Sequence, residues 1–211
     1  MAEEVRHPIF ARVYQRVSGG KEKRGETEYR REMLAGLAGR VIEVGAGNGL
    51  NFRQYPQAVS EVVAVEPEDY LRARAEEAAG EAAVPVEVVD GTAEALPAED
   101  ASFDTGVCSL VLCSVPDQAT ALAELRRVIR PGGELRFYEH VVANNPRYAR
   151  IQKRVQPVWT FFAGGCHPDR DTAAAIEGAG FVIERCRRFV FSASIIEQLA
   201  APKILGIARR P

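Results

Sequence analysis

This chain lacks a charge surplus. Its 27 Lys and Arg are offset by 29 Asp and Glu, a formal net charge of −2, so nothing draws it generally to nucleic acid or anionic lipid. The basic cluster Lys21-Glu-Lys-Arg24 is interleaved with acid and reads as a solvated face. No apolar run approaches the ~20 residues that a membrane span requires, which excludes an integral membrane segment. The N-terminus carries Glu3 and Glu4 and no apolar h-region, which speaks against a signal peptide. Cysteine is scarce. Cys108, Cys113, Cys166 and Cys186 show no paired spacing, as expected for reduced thiols in a cytoplasm. No internal repeat or low-complexity tract is visible, and a G-x-S-x-G nucleophile elbow is absent, which disfavours a serine hydrolase. At 211 residues, one domain with a sizeable core is expected.

What is present begins at Val41-Ile-Glu-Val-Gly-Ala-Gly-Asn-Gly-Leu-Asn51, which reads as a buried strand, a tight glycine turn and the start of a helix. Glycine tolerates positive φ, so Gly45, Gly47 and Gly49 let the backbone turn beneath a ligand, and a helix start would offer free N–H groups to a carboxylate. A dinucleotide fingerprint would need glycine or alanine at position 50. Position 50 is Leu, which disfavours a dehydrogenase. An acid on the strand, Glu43, followed by G-x-G-x-G resembles the first motif of class I S-adenosylmethionine (SAM) methyltransferases.

The next strand, Val62-Val-Ala-Val65, ends in Glu66 and Pro67. An acid about 20 residues beyond the glycine turn stands where a ribose-hydroxyl acceptor is placed; the alternative is an ordinary solvated glutamate. A third strand, Val86-Glu-Val-Val89, leads into Asp90-Gly91-Thr92-Ala93. Asp90 caps a short helix over residues 92–96, or meets an adenine amine as the resemblance implies; both roles are compatible. Phe103-Asp104 opens a fourth, apolar strand running to Leu112, whose end around Ser109 and Leu110 lies at the ligand edge of such sheets. Asp117 caps a helix over 118–129 with an apolar face of Ala121, Leu122, Leu125 and Val128. Pro131-Gly-Gly133 stops that helix, and strand 134–140 follows. No Asn/Asp-Pro-Pro-aromatic turn follows strand four and no basic face compensates, which disfavours a nucleic-acid amino-methyltransferase.

The ends vary. Ile9, Phe10, Val13, Tyr14 and Val17 fall at helical spacing, as do Tyr29, Met33, Leu34 and Leu37, with Ser18-Gly19-Gly20 between the two helices. After strand five, residues 141–170 exceed a usual connection, and Tyr148, Ile151, Val155, Trp159 and Phe162 recur at helical intervals. That insertion reads as a helix whose aromatic stripe packs in the core or walls a substrate. Asp171 caps a last helix over 172–178. Strands 181–189 and 203–209 close the chain as an antiparallel pair.

Leu112-Cys-Ser-Val115, Arg130-Pro-Gly-Gly133 and Glu139-His-Val141, with Asn51-Phe52, Tyr55-Pro56 and Gly165-Cys166, resemble the methyltransferase-like family that includes animal alkyl-thiol methyltransferases. The similarity runs from about Glu43 to the C-terminus, without the membrane-anchoring N-terminal helix of the animal members. The resemblance implies a Rossmann-like, doubly wound α/β fold. Its seven-stranded sheet is mostly parallel with an antiparallel last strand, and helices cover both faces. It implies a single domain: an N-terminal helical lid (1–39), a SAM-binding core (40–140), a substrate-side insertion (141–170) and a C-terminal helix with a strand pair (171–211). The cofactor is SAM, leaving as S-adenosylhomocysteine, and the acceptor is a small molecule. The cofactor site is expected to comprise Glu43, Gly45, Ala46, Gly47, Asn48, Gly49, Asn51, Glu66, Pro67, Asp90, Gly91, Thr92, Ala93, Ser109, Leu110 and Tyr14. Tyr14 either meets the methionine carboxylate from the lid or is a packed amphipathic residue.

For catalysis, His140 is the candidate base, at a strand end and titrating near neutrality; alternatively it is a structural histidine bonded to the insertion. Glu139 is the candidate to orient it or the ligand. His167 beside Cys166 lacks two further spaced ligands for zinc and is expected to cap the nearby Asp-rich turn. A nucleophilic Cys166 is chemically unneeded, no metal is called for, and His7 is expected to be exposed in the N-terminal arm.

Overall fold

The chain's structure is a computed structural model that describes residues 8–21, 25–192 and 196–211; His7 lies outside them. Its β-branched stretches form β1 (Gly39–Val44), β2 (Val59–Val65), β3 (Val86–Val89), β4 (Phe103–Ser109), β5 (Ile129–His140), β6 (Val182–Val190) and β7 (Pro202–Arg209). They make one sheet in the order β3-β2-β1-β4-β5-β7-β6. Strands β1 to β5 pair in parallel, whereas β7 is antiparallel to both β5 and β6. The order reverses between β1 and β4, so their carboxyl ends frame the crevice where open α/β sheets bind ligands.

Among the described residues, six α-helices accompany the sheet: α1 (Pro8–Lys21), α2 (Thr27–Leu34), α3 (Asp69–Ala79), α4 (Gln118–Val128), α5 (Pro146–Phe162) and α6 (Thr172–Gly178). Side chains alternate across a strand. Thus β1 sends Ile42 and Val44 into one apolar layer with Leu122 and Leu125 of α4 and Ile176 of α6. It sends Val41 into the opposite layer with Met33 and Leu34 of α2 and Ala75 of α3. Each of these Val, Ile, Leu and Met side chains, fully buried, contributes about 1.5–3 kcal/mol. The α4 face is the one its periodicity predicts, and Asp117 caps it by accepting from the N–H groups of Ala119 and Thr120. Asp171 likewise caps α6 through Ala174. Among the described residues no helix is long and apolar enough to cross a membrane.

Six local expectations are corrected. Pro131-Gly-Gly133 does not separate helix from strand: α4 ends at Val128 and β5 already begins at Ile129. The glycine turn does not open an α-helix: turns lead to a single 3-10 turn, Phe52–Gln54. Pro56 holds Tyr55 in extended geometry (ψ 130), which ends helical growth. Residues 92–96 are not helical either; Thr92 and Ala95 form an isolated bridge, and Asp90 pairs with Arg72 instead of capping. Strand β4 stops at Ser109 because Leu110 takes φ 61 and donates its N–H to the Tyr138 carbonyl. Helix α1 runs through Ser18-Gly19-Gly20 rather than breaking there. Finally, α5 is helical as expected, but its apolar stripe is not packed in the core: Ile151, Val155 and Phe162 are 50%, 40% and 74% exposed, and Tyr148 and Trp159 are half-buried. Its buried residue is Gln152, whose amide donates to the carbonyls of Pro168 and Leu199 and accepts from the Ala143 N–H. Polar anchoring sets this helix's orientation.

Candidate active site

At the carboxyl edge of the sheet lies a cleft. Its floor is Val44, Gly45 and Gly47 at the end of β1, residues 65–68 at the end of β2, and residues 91–94 after β3. The far wall is Ser109, Leu110 and Val111 after β4, with residues 114–116 and Gly164; Ala11 and Tyr14 of α1 and Leu71 of α3 complete it. Gly45 and Gly47 sit at φ 66 and 58. A Cβ at Gly45 would come within 2.5 Å of the Val111 side chain, so glycine is required for the two walls to approach.

Glu66 holds the middle of the floor, 5% exposed. Its Oε2 accepts the Gly47 N–H at 2.8 Å and its Oε1 the Glu68 N–H at 3.0 Å. Burial raises its carboxyl above the usual range, and these two N–H bonds pull in the opposite direction. A carboxylate offers about four lone-pair sites, so two acceptor positions remain beyond the backbone pair.

Behind the floor runs a buried polar chain. Glu43, 1% exposed, accepts from Asn51 Nδ2 at 2.8 Å and from the Tyr55 hydroxyl at 2.7 Å. Asn51 Oδ1 in turn accepts from Arg30, which also donates to Ser109 Oγ at 2.9 Å. Burial lifts Glu43 to about 7, with Tyr55, Asn51 and Arg30 opposing the rise. Of the expected cofactor residues, Glu43, Ala46, Asn48, Gly49, Asn51 and Asp90 therefore do not line the cleft. Asn48 donates to Gln15 and Ser18 of α1, and a Cβ at Gly49 would collide with Ala78 and Phe52. The other expected cofactor residues, Gly45, Gly47, Glu66, Pro67, Gly91, Thr92, Ala93, Ser109, Leu110 and Tyr14, are brought together there.

The two expected catalytic residues have other partners. Glu139 is fully buried, and its carboxylate accepts the N–H groups of Val111, Leu112 and Cys113 at 3.0, 2.9 and 3.1 Å. It shapes the loop after β4 and does not reach towards His140, contrary to expectation. His140 turns Nδ1 towards Cys113 Sγ and Cys166 Sγ, each at 3.5 Å. Neither residue lines the cleft. His167 is no cap: Gln156 bonds to its Nδ1 at 2.8 Å, and its own N–H donates to the Cys113 carbonyl. The aromatic wall is also corrected, since Gly164 alone of the α5 segment reaches the cleft.

A family model described as a methyltransferase domain matches residues 42–137. Thiol S-methyltransferase TMT1B of Rattus norvegicus is 33% identical over 179 residues, covering 82% of this chain and 72% of the relative. Thiol S-methyltransferase TMT1A of Homo sapiens is 33% identical over 181 residues, covering 83% and 73%. This chain belongs to the SAM-dependent methyltransferases.

The fold agrees. Geranyl diphosphate methyltransferase in complex with SAM matches this methyltransferase with a TM-score of 0.69 at 17% identity, over 88% of this chain and 84% of that one. The [4+2]-cyclase SpnF matches at 0.66 and 19% identity, over 88% and 79%. Because a cyclase shares the fold, architecture alone does not fix the reaction. The cleft suits the methyltransferase's cofactor on its own evidence. A rigid, buried acceptor carboxylate faces it, an apolar slot from Val65 and Leu71 adjoins, and the glycines leave backbone bare. Sequence reasoning missed Ala11, Leu71, Pro116 and Gly164, which carry no motif and are apolar or small, and it read Ser114 and Val115 as part of the family pattern without placing them at the cleft. It also missed Arg30, where an amphipathic pattern predicted a packed helix and hid a buried guanidinium.

Proposed function

We propose that the methyltransferase holds SAM along the cleft floor and transfers its methyl to a small thiol. Glu66 takes the two ribose hydroxyls, Gly45 and Gly47 admit the methionine end under Tyr14, and residues 91–93 border the adenine. The activity for which the relatives are named, thiol S-methylation, at 33% identity over more than 70% of their length, carries the acceptor assignment.

SAM supplies an activated methyl on a sulfonium. The chain must then align the incoming sulfur and keep water out, which contributes several kcal/mol. A thiol of pKa about 8.5 is already a few per cent thiolate at neutral pH, so a strong base is not demanded. That fits a site in which Glu139 and His140 are engaged elsewhere and in which Leu110, Val111, Val115 and Pro116 present an apolar wall. We place the protein in the cytoplasm, with a small-molecule acceptor and no nucleic-acid partner.

Labelled SAM with matched thiol, phenol and amine acceptors tests this reading. Transfer to the thiol, substantially retained in His140→Ala, is expected. Phenol turnover that collapses by roughly 10²–10⁴-fold in His140→Ala, without thiol turnover, would assign an O-methyltransferase with His140 as base. Binding without transfer to any acceptor would make the chain a SAM-binding module.

A further inference from the structure

Three side chains distant in sequence converge beside the cleft: Cys113 in the loop after β4, His140 at the end of β5 and Cys166 in the loop after α5. Their separations are 3.5 Å from each sulfur to His140 Nδ1 and 3.9 Å between the sulfurs. All three ligand atoms fall within 4.8 Å of one another. With zinc–sulfur bonds near 2.3 Å and zinc–nitrogen bonds near 2.0–2.1 Å, a tetrahedral ion sets edges of about 3.8 Å between two sulfurs and about 3.5 Å between sulfur and nitrogen. The observed triangle has those edges. We propose that Cys113, His140 and Cys166 form a binding site for a thiophilic divalent cation of the zinc class.

The donor set selects the metal. Two sulfurs and an imidazole suit zinc or cobalt and disfavour magnesium and calcium, which prefer oxygen. On binding, each thiol releases its proton to solvent, so two thiolates offset the ion's two positive charges and the imidazole binds neutral.

The ligands are also held in place before any ion arrives. Cys113 is fixed through its N–H to Glu139 and its carbonyl to His167, and the Thr160 hydroxyl donates to the Cys166 carbonyl at 3.1 Å. Gly165, at φ 84, lies so close to the Ser114 carbonyl that a Cβ would stand 2.8 Å from it. Three protein ligands leave one tetrahedral vertex, as in sites that take a water or an exogenous donor. An ion there would tie the end of β5 to two loops that supply Ser114 and Gly164 to the cleft wall.

The test uses the full chain in a Cys186→Ser background, because Cys186 is exposed. The protein is stripped with chelator under a non-thiol reductant and titrated with cobalt(II), then zinc(II). One cobalt per chain is expected, with tetrahedral ligand-field bands and thiolate-to-cobalt charge transfer that zinc abolishes. X-ray absorption on the zinc form should show two sulfurs and one protein nitrogen. Cys166→Ser and His140→Ala, each verified folded by circular dichroism, should weaken binding by roughly tenfold or more. Absent charge transfer in the reduced parent protein would overturn the proposal, and so would an unchanged signal in both variants. A Cys113–Cys166 disulfide whose reduction restores no metal binding would overturn it as well. SAM binding is measured by calorimetry on the stripped protein, so failure here leaves the cofactor assignment standing on its own result.

Discussion

Glu66 is the residue at which one substitution reads the cofactor floor. Its carboxylate is already fixed by two backbone N–H groups, so a ligand diol finds it pre-oriented. Glu66→Ala should weaken SAM binding by about 1.5–3 kcal/mol in a folded protein; calorimetry showing wild-type affinity would return Glu66 to a structural role. Hydroxyl donors favour the ionised acid, whereas burial raises its carboxyl in the free protein. SAM affinity should therefore rise with pH through that raised value, and Glu66→Gln should flatten the profile. Glu43 supplies a stability test. Its folded value, about 7, exceeds the ordinary 4.5, so the folded state binds the extra proton. Its contribution is full below pH 4.5 and is lost as pH rises towards 7, at most on the order of 3 kcal/mol. Glu43→Gln keeps an acceptor for Asn51 and should remove that slope from denaturant unfolding between these pH values; an identical slope would refute the assignment.

Elements built on local chemistry were legible, and elements decided by distant side chains were not. Asp117, the α4 face and the existence of strands β1 to β5 follow from capping and apolar patterning, although β4 ends before Leu112 and β5 starts before Pro131. The missing helix after Gly49, by contrast, depends on Asn51 turning inward to Glu43 and on Pro56 behind it. Periodicity showed a stripe on α5 but could not show that Gln152, one turn on from Tyr148, would be the residue that is buried. The sequence showed Glu139 beside His140 and suggested a pair; only the loop after β4 reveals that Glu139 serves three backbone amides. Glu139→Ala would strand those N–H groups, each costing about 1–3 kcal/mol when buried and unpaired. Its unfolding midpoint should fall sharply, and Glu139→Gln, which retains one acceptor oxygen, should fall less. Equal stability of the two variants would show that the carboxylate is dispensable to the loop.

At the scale of the molecule, the two N-terminal helices differ in placement, although their amphipathic patterns look alike in sequence. Helix α2 belongs to the core: Met33 and Leu34 are buried in the layer against β1 and β5, and Arg30 bridges Asn51 and Ser109. Helix α1 sits over the cleft instead. It supplies Ala11 and Tyr14 to the lining, and Gln15 and Ser18 reach Asn48 beside the glycine turn. A helix that lines the cleft and whose described side chains lie outside the two apolar layers should matter more for binding than for folding. Ligand that binds only the folded chain raises its melting temperature by mass action, so SAM should stabilise the full chain. A chain shortened to begin at Gly25 should melt, without ligand, within a few degrees of the full chain. Its SAM affinity should drop by about tenfold or more, the loss of roughly 1.4 kcal/mol of contact. Paired melting curves with and without SAM decide the matter. If the shortened chain unfolds outright, α1 is part of the core; if it keeps full affinity, the cleft needs no cover from α1 and Tyr14 has no place at the methionine end.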